Sequence, residues 1–146
     1  MKRFQFQLEP VLSFKQQGLD ALMVELSAIQ ARLADQEAVR DEAYRQLREY
    51  DEASAARKAE GMTVLEAVER QTCQLVLDRR AKEEHEKVLH LRRQVEAKRS
   101  EVVEARKETH SLEKLRELRR GEYDTALQKA EEKALDDLTA ARRAAG

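Results

Sequence analysis

Apolar residues fall three and four apart along the first third of this chain: Leu19, Leu22, Leu26, Ile29 and Leu33. That spacing puts them at the a and d positions of a heptad, on one stripe of a helix, and predicts a coiled-coil seam. Carried forward, the register reaches Gln36, Arg40, Ala43, Leu47 and Tyr50. Polar side chains at Gln36 and Arg40 would weaken the seam and fix its register against a partner helix. The alternative is a local phase shift that brings in Val39 and Tyr44 instead.

Gly61 is the strong interior break, and Thr63 with Glu66 after it has the spacing of a capping box. The first helix is therefore expected over 10–58, a turn over 59–62 and a second helix over 63–143. So short a connection favours an antiparallel hairpin with the seams buried against each other. In the second helix Leu65, Val68, Thr72 and Leu75 follow one register. Ala81, Val88, Leu91, Val95, Val102, Ala105 and Leu112 follow another, which implies a stutter near 76–81. Gly121 is a weak point in a pattern that resumes at Tyr123, Leu127, Ala130, Ala134, Leu138 and Ala141. Pro10 suits only a first helical turn, so residues 1–9 read as an extended or frayed arm carrying Phe4 and Phe6.

At ~1.5 Å per residue the helices would span roughly 70 and 120 Å. About 30 C-terminal residues would then overhang the hairpin, their apolar stripe left for something outside the chain. The fold class expected is all-α: a long two-helix antiparallel coiled-coil hairpin, monomeric, with an overhanging C-terminal helix.

Composition agrees with a rod. Of 146 residues 39% are charged and 4% aromatic, too little bulky apolar matter for a thick core. The net charge of −1 conceals ten basic against six acidic side chains over 79–107. The interspersed glutamates make that span a solvated helix face rather than a nucleic-acid groove. Cys73 is the sole cysteine, which excludes an intrachain disulfide, and no apolar run approaches the roughly 20 residues of a membrane helix. Gln5, Gln7 and Glu9 interrupt any signal-peptide core, so a cytosolic location is expected.

Catalytic chemistry is not visible. His85 and His90 are five residues apart, where metal ligands on one helix face need four, and His110 is remote. Cys73 has no base placed beside it by the sequence, and no Gly-rich phosphate loop occurs. An enzyme, a metal, a cofactor, a small-molecule substrate and a nucleic-acid partner are therefore not expected. One local feature stands out: Cys73, Leu75, Val76 and Leu77 surround more of the helix than one partner can cover. Either a second binding surface near Cys73, Leu77 and Arg80 or the stutter would account for it.

Two segments carry a family resemblance. Leu112-Glu113-Lys114-Leu115-Arg116-Glu117, followed by Tyr123 and by Glu131-Glu132-Lys133-Ala134-Leu135-Asp136-Asp137, resembles the C-terminal signature of FliJ. Phe4-x-Phe6-x-Leu8-x-x-Val11-Leu12 matches at the N-terminus. Glu132-Lys133 stands where that family often has Glu-Gln. The resemblance implies a non-enzymatic component of the flagellar type III export machine, at the cytosolic face of the inner membrane. Its coiled coil would be similar to the stalk of rotary ATPases, entering and stimulating the hexameric export ATPase and engaging the export gate and export chaperones. On that basis the ATPase-facing surface is expected at Phe4, Phe6, Leu8, Leu12, Leu112, Leu115, Arg116, Arg119, Arg120 and Tyr123, and the gate-facing surface at Cys73, Leu77 and Arg80. The alternatives are the stalk protein of a virulence injectisome, a nucleic-acid-contacting helical arm, and a homo-oligomeric structural coiled coil.

Overall fold

Two helices account for nearly all of the backbone in the computed structural model, which describes residues 2–146: α1, Glu9–Glu60, and α2, Val64–Ala145. They pack against each other as an antiparallel hairpin. Met1, part of the expected arm, lies outside the described residues.

Local chemistry sets the helix ends. The Glu9 amide bonds the Phe6 carbonyl at 3.1 Å and the Leu12 amide the Leu8 carbonyl at 2.9 Å, which leaves Pro10 in the first turn, where no amide donor is needed. Gly61 ends α1 with φ of 99°, a left-handed conformation that side chains with a Cβ rarely adopt, and its amide bonds the Lys58 carbonyl at 3.1 Å. Thr63 caps α2: its Oγ1 accepts from the Glu66 amide at 3.2 Å. The Glu66 carboxylate faces Arg57 of α1 at 3.5 Å, so the residue expected to close a capping box contributes to the helix pairing instead.

Two compact units divide the chain, Leu22–Glu101 and Met1–Ala21 with Val102–Gly146. In the first, Ile29 and Ala43 of α1 are buried, as are Ala81, Val88 and Val95 of α2. Leu22, Leu26, Leu33, Gln36, Arg40, Leu47 and Tyr50 are partly buried around them, so α1 keeps one heptad register throughout. Val39 stays exposed, which rules out a phase shift through it. Gln36 donates to a Glu84 carboxylate oxygen and, at 3.3 Å, to the Glu84 carbonyl. Satisfying a polar seam residue in this way fixes register, because sliding either helix would leave the Gln36 amide without its acceptors. Lys98 bridges to Glu25 at 2.8 Å on the same side of the pairing.

The α2 seam does not follow the pattern expected for its first turns. Glu66, Arg70, Leu77, Ala81 and Glu84 turn inward, whereas Leu65, Val68, Leu75 and Val76 are exposed. From Leu77 the inward residues keep alternating spacings of four and three, so there is no stutter near 76–81. An unbroken helix cannot rotate half a turn between one stretch and the next. The phase is set by the longer apolar run from Ala81 onward, and the first four turns inherit it.

In the second unit Leu12 of α1 and Val102 and Thr109 of α2 are buried. Thr109 meets its own need by donating to the Ala105 carbonyl at 2.9 Å. Lys15 pairs with Glu108 at 2.9 Å and Glu9 with Arg116 at 3.3 Å, the antiparallel order again. α2 continues through Gly121 without a break. The C-terminal stretch is thus the end of α2 and not a separate overhanging helix. Its exposed part is also shorter than the sequence suggests, because residues before α1 fold back over Tyr123 and only those after Leu127 are all exposed.

Two glycines should respond oppositely to alanine. At Gly121 a Cβ meets nothing within 4 Å, so Gly121→Ala should stabilise the chain by about 0.5–1 kcal/mol. Gly61→Ala forces a Cβ into the left-handed conformation and should destabilise by about 1 kcal/mol or more. Urea unfolding of the two variants checks both signs. A second prediction concerns acid. Hydrogen bonds from Gln36 and then Lys87 hold the Glu84 carboxyl below its ordinary pKa of 4.5. The contribution is therefore complete above that pH and lost as pH falls through the lower folded value. Glu84→Gln should flatten the fall in melting temperature below pH of about 4.5; an unchanged slope would show that Glu84 has no part in it.

Candidate partner-binding surfaces

Where α2 passes the N-terminal arm, an aromatic clasp holds the two together. Phe4 lies with its ring centroid 5.5 Å from that of Tyr123, the planes tilted by 50°, an arrangement that suits two ring quadrupoles. The Arg120 guanidinium stands 5.1 Å from the Phe4 centroid and 5.9 Å from that of Tyr123. Tyr123 donates its hydroxyl proton to the Lys2 carbonyl at 2.5 Å. The arm therefore has its backbone tied to α2 at one end and its first ring held by two side chains one turn apart. Phe6 and Leu8 follow along a shallow groove shared with Leu115 and Arg119.

Nine of the ten residues expected at the ATPase-facing surface, among them the three that form the clasp, keep at least part of their surface accessible. Leu12 is different: at 1% exposure it is a core residue of the pairing. The three arginines are not bare charges. Arg116 pairs with Glu9, Arg119 with Glu122 at 3.3 Å and Arg120 with Asp124 at 3.4 Å. All six groups are more than two-fifths exposed, and such pairs exchange readily for other carboxylates. Glu9 and Tyr123's acceptor at Lys2 were not legible as parts of one feature, since residues more than 100 positions apart give no sequence signal of contact.

The expected gate-facing residues take different positions. Cys73 is exposed beside Tyr50 of α1; burial, then the neighbouring Cys73 thiol, pushes the Tyr50 phenol up from its ordinary pKa. Arg70 crosses beside them, 3.1 Å from Ser54 Oγ and 5.8 Å from the Tyr50 centroid. Leu77 is half-buried in the seam, and Arg80 is exposed near Glu42 and Glu84. The three residues thus flank the junction between the helices, with Leu77 as its floor. None of the described residues forms a metal-binding cluster, and none of the helices is long and apolar enough to cross a membrane.

A family model described as Flagellar FliJ protein matches residues 4–146, which takes in the arm, both helices and the exposed end of α2. The chain belongs to the FliJ family. Neither the curated proteins nor the solved structures compared with it show a match. FliJ proteins are flagellar export components, and the helical coiled coil described above is the fold this one adopts. The match extends over the last turns of α2, although those turns have no packing partner within the chain.

Because Leu77 lies on the seam, Leu77→Asp should place a charge against α1 and lower the melting temperature by several degrees. Thermal unfolding beside wild type checks this, and an unchanged midpoint would return Leu77 to the accessible surface.

Proposed function

We propose that this FliJ-family chain acts as the stalk of the hexameric export ATPase, entering the ring with the end that carries the clasp and stimulating it. The observation that carries this reading is the run of α2 after Leu127, exposed on every side yet in phase with the seam before it. A helix that keeps Ala130, Ala134 and Leu138 on one face without a helix to cover them is suited to a ring that closes around it. Arg116, Arg119 and Arg120 would meet carboxylates of the ring, giving up exposed partners of little individual strength. Weak contacts spread along a shaft suit an element that must turn within its socket, since no single one holds it at a fixed angle.

The junction at Cys73, Leu77 and Arg80 is the proposed contact with the cytosolic domain of the export gate. Its half-buried leucine between an exposed thiol and an exposed guanidinium gives an apolar floor with a polar rim. Export chaperones complete the proposed set of partners, and the protein would then work at the cytosolic face of the inner membrane.

Combining Arg119→Glu and Arg120→Glu should reduce affinity for the export ATPase by tenfold or more, on the order of the loss expected when charges in an interface are reversed. Circular dichroism should remain that of wild type. Retained stimulation of ATP hydrolysis by the doubly reversed protein would remove these arginines, and the clasp end with them, from the ring contact.

A further inference from the structure

Among the described residues between Ala43 and Ala81 the pairing fully buries no hydrophobic side chain, and Leu47, Tyr50 and Leu77 are only partly covered. Polar groups fill the inside of the turn end: Arg57 faces Glu66 and Arg70 faces Ser54. Most apolar residues of α2 in the same stretch point the other way, Leu77 excepted. Leu65, Val68, Leu75 and Val76 are each more than half exposed, and Thr72 is exposed among them. At 100° per residue the five occupy one stripe about 100° wide, on the side of α2 away from α1. Three- and four-residue spacing over three turns is the pattern that receives another helix, not a scatter of single exposed side chains.

We propose that this stripe is the contact of an antiparallel homodimer, in which α2 of one molecule lies against α2 of a second copy about a two-fold axis near Thr72.

The charges at the stripe select that occupant. Glu69 edges it and Arg79 ends it, and neither has an ion pair among the described residues, whereas Glu66, Arg70 and Asp78 are held by Arg57, Ser54 and Lys82. With the axis at Thr72, Val68 of one copy meets Val76 of the other. The stem of Arg79 covers Leu65 across the contact. Its guanidinium then lies about four residues, or ~6 Å along the axis, from the opposite Glu69, within reach of so long a side chain. The same pair recurs on the other side of the axis, as an isologous contact requires. A parallel pairing would set Glu69 against Glu69 and Arg79 against Arg79, so the order of the two charges excludes it. The seam alone suggested a monomer; this outer face does not.

Sedimentation equilibrium of the full chain tests the proposal. Wild type should approach the mass of two chains by about 100 µM. Val68→Asp should give one chain throughout, with helicity unchanged because the position faces solvent in the single molecule. Glu69→Arg should raise the dissociation constant about tenfold or more, and the exchange Glu69→Arg with Arg79→Glu should restore it to within about threefold. A one-chain mass for wild type across the range would overturn the dimer. Association that survives Val68→Asp would overturn the stripe as its contact, and an exchange that fails to restore association would overturn the antiparallel pairing.

Discussion

A hairpin of two helices has a single interface, and every other property of this chain depends on the phase of that seam. In a layered domain a side chain excluded from one core can find a second. Here, a residue that misses the seam is in water. Val88, Val95 and Val102 repeat at seven residues along α2 and leave that helix no freedom to choose another face. Once they are inside, the orientation of each side chain in the continuous helix follows, including those whose own character would favour the opposite arrangement.

Polar seam residues then acquire a purpose that hydrophobic ones lack. Aliphatic pairs tolerate a shift of one heptad, since any Leu meets any Val about as well. Gln36 tolerates none: both of its acceptors belong to Glu84. The ion pairs Lys98–Glu25, Lys15–Glu108 and Arg116–Glu9 are individually weak, and their value lies in agreeing with that register. Specificity in this molecule is thus supplied by groups that contribute little to its stability.

Much of the fold was legible because heptads are read locally. α1 could be followed from Leu19 to Tyr50 by counting, and Gly61 with Thr63 marked the turn because a left-handed residue and a cap are needed there and not elsewhere. What failed was also a matter of locality. Leu65, Val68, Thr72 and Leu75 make a better heptad by themselves than Glu66, Arg70 and Leu77, and counting assigns them to the seam. The structure ranks the two stretches by the apolar surface each can bury, and the longer run after Ala81 prevails. The clasp was partly legible: Phe4 and Tyr123 stood out as aromatic residues in a chain with few. Their pairing, and the role of Arg120 between them, follows only from the antiparallel register of the folded hairpin. For the same reason Leu12, which resembles a surface residue of the arm motif, belongs to the core.

The distribution of apolar residues argues that the two ends of the chain meet different demands. Near the clasp, Leu112, Leu115, Tyr123 and Leu127 are partly covered while Phe14 and Leu118 stay exposed, and the arm covers α2 beyond the start of α1. That end uses Phe4 and Tyr123 for order within one molecule and leaves a polar, weakly apolar helix exposed beyond. Near the turn charge lies inside, and Leu65, Val68, Leu75 and Val76 lie outside. The phase inherited from the run after Ala81 puts Arg70 inside, where it meets Ser54 and the Tyr50 ring, and puts its apolar neighbours in water. Hydrophobic matter kept on that outer face is what the proposed contact between two copies would cover.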